Sequence, residues 1–387
     1  MEGGTYLSEN QSQTSDHRGG TYLSEGSKAQ SQTSDHRGGT YLSEGRYGCV
    51  YEPPLKCKPK TKKIIGQHKG KTVGKLTSIE EAKQTLDASM ILRRISNAED
   101  YFILVDSICE AEDSKEKAEC DPVKNKALVA EIIMPYGGIT LDDVKDRHMA
   151  HLINNFMFYI GHILESGTYL LISNLVHFDL HRKNFVVQNK PRIIDLGFVW
   201  SPINLTKDNV EGQLRSYNPR IDQESPEASY INGSLPPYQI NNELLVSDIF
   251  GRKPSCQILQ QICGITIEQQ QVAFKKFLNN SSAIQKLDNV TFFKTYWSKF
   301  DAWGFGTIIA RLTYEYIFNT SFVNTVYKPN KIVIDNVIKG LLNPDPGLRL
   351  DAVEALQLWN PKSSVLNDKQ VSDWITKQSS IRLSSSS

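Results

Sequence analysis

No apolar stretch of this 387-residue chain approaches the roughly 20 residues of a membrane-spanning helix, so no membrane partner is expected. Neither sign of charge prevails. With 44 Lys and Arg against 43 Asp and Glu the net charge is +1, which excludes a broad basic field and with it a nucleic-acid partner. Cysteine is scarce. The six are Cys49, Cys57, Cys109, Cys120, Cys256 and Cys263, with no C-x-x-C pair and no histidine at ligand spacing. They read as reduced structural thiols, not as zinc ligands or a disulfide framework. The opening Met1-Glu2-Gly3-Gly4-Thr5-Tyr6 has neither the basic nor the apolar region of a signal peptide, and the expected location is cytoplasmic.

What is present begins with a repeat. Gln11–Glu25 recurs letter for letter as Gln30–Glu44, and its core Gly-Gly-Thr-Tyr-Leu-Ser-Glu also stands at Gly3–Glu9. These segments are polar and offer no apolar face to bury, so residues 1–37 are expected to be a disordered tail. Only the last copy runs on into alternating residues. Thr40-Tyr41-Leu42-Ser43, a glycine turn over Glu44-Gly45-Arg46-Tyr47-Gly48, and Cys49-Val50-Tyr51 read as strand, turn and strand.

The chemistry concentrates further on. His177-Phe178-Asp179-Leu180-His181-Arg182-Lys183-Asn184 precedes a short hairpin, Phe185-Val186-Val187, a turn, and Arg192-Ile193-Ile194, followed by Asp195-Leu196-Gly197. A hairpin brings its two ends together. Asn184 enters one strand and Asp195 leaves the other, so an amide and a carboxylate meet, with Asp179 on the loop before them. An acceptor for a proton, beside two oxygen ligands for a divalent cation, is the minimum apparatus for phosphoryl transfer from Mg-ATP.

The spacing H-x-D-x-x-x-x-N followed by D-x-G resembles the signature of the protein kinase superfamily. Other segments extend the resemblance from about residue 39 to 360. Gly45, Gly48 and Val50 match the glycine-rich loop G-x-G-x-x-G-x-V, with Ser43 in place of the first glycine. Lys75 in Lys71-Thr72-Val73-Gly74-Lys75 matches the strand lysine, Gly74 replacing a branched residue. Met134-Pro135-Tyr136-Gly137-Gly138 is similar to the hinge that binds adenine. Ser225-Pro226-Glu227, Asp301–Gly306 and Leu342–Arg349 are similar to A-P-E, D-x-W-S-x-G and the late D-P-x-x-R element.

The resemblance implies an α+β, bilobal fold: a small β-rich lobe over 38–134, a larger helical lobe over 135–362 and a tail over 363–387. It implies ATP and Mg2+ as cofactors and a protein hydroxyl, serine or threonine, as acceptor. Asp179 would accept the hydroxyl proton, and Asn184 and Asp195 would hold magnesium. Lys75 would grip the α- and β-phosphates, and Lys183 would reach the γ-phosphate. Residues Ser43 to Gly48, with Val50, Met134 and Tyr136, would surround the nucleotide. The same resemblance pairs Glu227 with Arg349.

The residues themselves leave some choices open. Thr77 and Ser78 open a helix whose expected apolar stripe is Ile79, Ala82, Leu86 and Met90. Glu80 and Glu81 lie in its first turn, where they serve the cap and the dipole. The resemblance implies that an acid from mid-helix pairs with Lys75; Asp87 stands there and is the expected partner, with Glu80 and Glu81 as the alternatives. Further strands are expected over Tyr101–Val105 and Ala127–Ile133, and a long helix over His151–Leu175.

Phe178 replaces the family's arginine, which usually binds a phosphorylated activation loop, so no such phosphorylation is expected to be required. Asp301 follows Glu227 by 74 positions, which implies an insertion over about 229–300 with a helix at Ile267–Leu278. In style the chain is similar to kinases encoded by large nucleocytoplasmic DNA viruses, which would place it in host cytoplasm or virion. A small-molecule kinase of the aminoglycoside or choline type, and a pseudokinase binding module, are the alternatives.

Overall fold

Alternation in the last repeat copy builds the first hairpin of the structure. This computed structural model describes residues 39–45, 48–66, 68–120, 130–214, 216–286 and 288–385. The repeat tail over 1–37, and Arg46 and Tyr47 in the glycine turn, lie outside the described residues. Strand β1 (Thr40–Gly45) pairs antiparallel with β2 (Gly48–Glu52), Gly45 opposite Gly48. With β3 (Lys63–Ile64), β4 (Thr72–Thr77), β5 (Ser107–Glu110) and β6 (Ala130–Pro135) they form a six-stranded antiparallel sheet of order β1-β2-β4-β6-β5-β3. The rest is mainly helical, with a second sheet, β7 (Ile139–Thr140), β8 (Phe185–Val187) and β9 (Pro191–Ile193). The fold is mixed α+β, with the large sheet at the N-terminal end.

The strand expected over Tyr101–Val105 lies instead at β5. Tyr101–Val105 is apolar for a different reason: it packs between the sheet and the helical part. Ile103 N–H donates to Ile193 O at 2.9 Å and Ile193 N–H to Tyr101 O at 2.9 Å. An apolar run does not tell a strand from a buried connector. The long helix expected over His151–Leu175 is two, Met149–Asn154 and Phe156–Ile172, broken at Asn155.

Glycine at position 74 has a steric cause. A Cβ there would lie 1.7 Å from Glu131 Oε1. The Glu131 side chain crosses the sheet over Gly74 and accepts the Leu55 N–H at 2.9 Å. Burial pushes its carboxyl up to about 7, with the Leu55 hydrogen bond and Lys117 pulling the other way. A raised folded-state value means that the acid is bound protonated. Its contribution to stability is therefore largest below the ordinary 4.5, falls as pH rises through that interval, and levels off above about 7. Glu131→Gln is expected to raise the unfolding temperature at pH 8 more than at pH 5, whereas Gly74→Ala should destabilise by about 1–3 kcal/mol at either pH. Calorimetry of both variants at the two pH values checks this.

The cysteines correct the expectation of reduced thiols. Cys49 bonds to Cys120 and Cys57 to Cys109, while Cys256 and Cys263 are free. The partners lie 71 and 52 residues apart and are brought together by the sheet and the segment after β5, so no local spacing announces them. Disulfides belong to oxidising compartments, and the cysteines lend no support to a cytoplasmic location. Among the described residues no helix is long and apolar enough to cross a membrane.

The described residues of 229–300 are mainly helical: the end of Pro226–Ser234, then Asn242–Arg252, Pro254–Cys263, Ile267–Asn280 where a helix was expected at Ile267–Leu278, Ser282–Gln285, and the start of Asn289–Tyr316. Phe250, Phe274, Phe277 and Phe292 from this region join the main core. Asp301 stands within a helix that begins at Asn289. The end of the chain also packs on the body. Val371 is buried, Trp374 Nε1 donates to Asp351 Oδ2 at 3.1 Å, and Ser363 Oγ donates to Glu165 Oε1 at 2.6 Å.

Candidate active site

The β8–β9 hairpin forms where the sequence places it, Phe185 opposite Ile193. Ile194 N–H donates to Asn184 O at 3.0 Å, so the chain leaving the hairpin returns beside the residue that entered it. Asn184 is buried, and its Nδ2 donates to the Asp179 carbonyl at 2.8 Å. The amide is thereby oriented with its nitrogen toward the loop, leaving its oxygen as an acceptor. Asp195 adopts a left-handed backbone, φ +63° and ψ +57°. Such strain in a non-glycine residue persists only where the surroundings over-determine it.

The loop carrying Asp179 is held from beneath. The Asp301 carboxylate accepts the N–H groups of His177 at 2.7 Å and Phe178 at 2.8 Å. The His177 ring lies 3.0 Å from Ile194 O. Phe178, where the resemblance expected arginine, packs its ring against Trp200, Phe293 and Phe300. An apolar cluster thus occupies the side chain that would otherwise face a phosphate. Arg182 extends outward to Glu315 at 2.6 Å and Asp142 at 3.1 Å.

Lys75 approaches from the large sheet. Its Nζ lies 2.6 Å from Glu81 Oε1 and 2.6 Å from Asp195 Oδ1, with only 16% of the side chain exposed. Burial would depress the ammonium, but Asp195 and Glu81 outweigh it and hold it above the usual range. Burial likewise raises the Asp195 carboxyl, and Lys75 more than reverses this. The ion pair is thus fixed in its charged form.

Glu81, not Asp87, is the partner of Lys75, and Asp87 is exposed. The cause is the short connection. Strand β4 ends at Thr77, Ser78 caps the helix Ile79–Leu92, and so the first turn faces the end of the strand. Ser78 Oγ accepts the Glu81 N–H at 3.2 Å, and the Glu81 carboxylate accepts the Thr77 hydroxyl and the Lys75 ammonium in place of the capping role assigned to it. The helix face turned inward is Glu81, Ala82, Thr85, Ala88, Ser89 and Leu92, while Met90 of the expected stripe is 50% exposed. Gly197 allows this approach, since a Cβ there would lie 2.5 Å from Glu81 Cγ.

Val50 is opposite Lys75 in the sheet, and Gly48 packs so tightly that a Cβ would lie 2.0 Å from Leu76 O. Among the described residues a Cβ at Gly45 would meet Gly48 O alone, at 3.9 Å. Ser43 and Glu44 belong to β1, and Glu44 accepts the Tyr41 hydroxyl at 3.3 Å. Met134 pairs with Val73 across β4 and β6. Tyr136 N–H donates to Lys71 O at 2.9 Å, and the Lys71 ammonium covers its ring at 4.3 Å. Lys71 also pairs with Glu52, so it is committed elsewhere than Lys75. Lys183 is exposed in the turn Arg182–Asn184. His181 Nε2 lies 4.0 Å from Asp179 Oδ2, and burial pushes its imidazole below the usual range against the pull of Asp179.

Two buried arrangements complete the surroundings. Arg349 makes a bidentate pair with Glu227, at 2.7 and 2.8 Å, with both side chains fully buried, as the resemblance implied. Sequence reasoning missed Gln223, whose Nε2 donates to Asp179 Oδ1 at 2.9 Å. It stands 44 positions from Asp179 with no spacing signal, and only the path of the chain brings them together. Missed as well was Lys253, fully buried and donating to Ile221 O at 2.7 Å.

A carboxylate and an amide oxygen are hard ligands appropriate to magnesium, and a fixed ammonium beside a glycine turn suits phosphate oxygens. No protein-family model matches the chain, and no curated protein proved similar to it.

Proposed function

We propose that this protein is an ATP-dependent protein kinase with the bilobal protein-kinase fold, acting on serine or threonine hydroxyls. The observation that carries the reading is Lys75, held at 2.6 Å from both Glu81 and Asp195. That contact joins the large sheet, the helix Ile79–Leu92 and the hairpin mouth at one charged point.

In this reading Lys75 binds the α- and β-phosphates, and Asn184 and Asp195 hold the cation. Mg-ATP, when bound, supplies the γ-phosphoryl group together with the positive charge that neutralises it. Asp179 accepts the proton of the substrate hydroxyl as its oxygen bonds to phosphorus, and the bond from the γ-phosphorus to the β,γ-bridging oxygen breaks to leave ADP. Gly45 and Gly48, whose small size lets a ligand approach the backbone, would flank the phosphates.

Protein is favoured over a small alcohol as acceptor by the buried Glu227–Arg349 pair. It stakes down the long segment after Asp195, a platform on which a polypeptide can lie. Enzymes of the aminoglycoside or choline type lack this element. The presence of Lys75, Asp179, Asn184 and Asp195 together speaks for catalysis over a binding-only role. Phe178 in its aromatic cluster supports activity without phosphorylation of the segment.

Incubation with γ-labelled ATP and Mg2+, offering a generic protein in one arm and a panel of small alcohols in the other, tests the reading. Label on protein serine or threonine is expected. Label confined to an alcohol would replace it with the small-molecule reading, and label on neither would remove it.

A further inference from the structure

We propose that Gln223 is a positioning residue for Asp179, fixing the carboxylate so that one oxygen faces the substrate hydroxyl. This inference rests on the reading of Asp179 as the proton acceptor. Gln223 Nε2 donates to Asp179 Oδ1 at 2.9 Å. A hydrogen bond to one oxygen removes the rotation of the carboxylate about its Cβ–Cγ bond. The other oxygen, Oδ2, is then held on the side where His181 Nε2 stands 4.0 Å away. The donor is an uncharged amide, so it fixes geometry without withdrawing as much basicity as a cation would.

A positioning residue must itself be held, and here the backbone around Gln223 is clamped on both sides. Before it, Ile221 O accepts the fully buried Lys253 Nζ at 2.7 Å. The Asp222 carboxylate accepts Ser255 N–H at 2.8 Å and Arg311 Nε at 2.5 Å, while Asp222 O accepts Trp303 Nε1 at 2.9 Å. After it, Glu224 accepts Ser229 Oγ at 2.5 Å and Asn232 Nδ2 at 3.1 Å. Lys253 and Ser255 both come from the region 229–300, and Ser229 and Asn232 from the helix Pro226–Ser234 that leads into it. Burying a lysine ammonium is costly unless its hydrogen bonds fix something that matters. What this one fixes is the turn that aims Gln223, which gives the long insertion a part in the reaction.

The test uses the full-length chain. Gln223→Met keeps the length and removes the donor; Gln223→Glu keeps the shape and sets a second carboxylate against the first. Steady-state kinetics with Mg-ATP and a protein acceptor are measured for both, with unfolding temperature beside them. The expected result is a fall in kcat of about 10- to 100-fold for Met and more for Glu, with KM for ATP and the unfolding temperature at the wild-type values. A merely structural role would lower the unfolding temperature or raise KM. Either of those patterns, or a Met variant with wild-type kcat, overturns the inference while the parent reading stands. A wild-type chain that transfers no phosphate at all overturns the parent reading and this one with it.

Discussion

Asp195→Asn is expected to lower Mg-ATP-dependent transfer by about 100- to 1000-fold or more while the chain still folds. The aspartate lies 2.6 Å from Lys75 and enters the site from the strained end of the β8–β9 hairpin, opposite Asn184. Asparagine fills the same volume but removes the negative charge that would share a cation. The Lys75 ammonium is not orphaned by the change, because Glu81 remains at 2.6 Å, and so the fold has no buried unpaired cation to resolve. Turnover is measured beside unfolding temperature. A variant that keeps more than roughly a few per cent of wild-type turnover contradicts the assignment of Asp195 as a cation ligand.

The second large effect is expected at Lys75. Lys75→Met would leave Glu81 and Asp195 facing each other in a buried site without the cation between them. The loss is expected in both activity and stability, the latter about 3 kcal/mol. Glu81→Gln should also reduce turnover strongly, because the neutral amide holds the ammonium less firmly. Asp87→Ala, on the exposed face of the same helix, should be near wild type, and so should Lys69→Met. Lys71→Met should change little beyond its surface contacts with Glu52 and Tyr136. Kinetics and denaturant unfolding over this series decide between the two acids and among the three lysines. Loss at Asp87 or Lys71 with Lys75 unaffected would refute the register.

The hairpin and its flanking residues were legible because local rules determine them. Short apolar strands joined by Gln188-Asn189-Lys190 close on themselves, so the chain returns beside Asn184 whatever surrounds it. Lys75 was legible through its resemblance to the strand lysine, and it stands within β4. The partner of Lys75 was not, because an acid in a first helical turn has a sufficient local explanation in the cap and the dipole. Whether Glu81 serves the cap or the lysine depends on how sharply β4 turns into the helix, a tertiary matter. The disulfides failed for a similar reason: Cys49–Cys120 and Cys57–Cys109 are pairs made by sheet order, invisible to spacing. Tyr101–Val105 misled because burial between two layers and burial within a sheet leave the same apolar trace. Gln223 carried no signal at all, since a lone amide acquires its role only from the loop that delivers it.

The most direct measurement of the central claim is labelling with an acyl-phosphate derivative of ATP in the presence of Mg2+. In that reagent a lysine lying against the phosphates attacks the acyl carbon, forms an amide and releases the nucleotide. Mass spectrometry then identifies the lysine. The account predicts label on Lys75, suppressed by an excess of Mg-ATP and reduced in Asp195→Asn. Label on Lys69, Lys71 or Lys183 in its place, or labelling of Lys75 that Mg-ATP does not suppress, would contradict a nucleotide site built around the Glu81–Lys75–Asp195 contact.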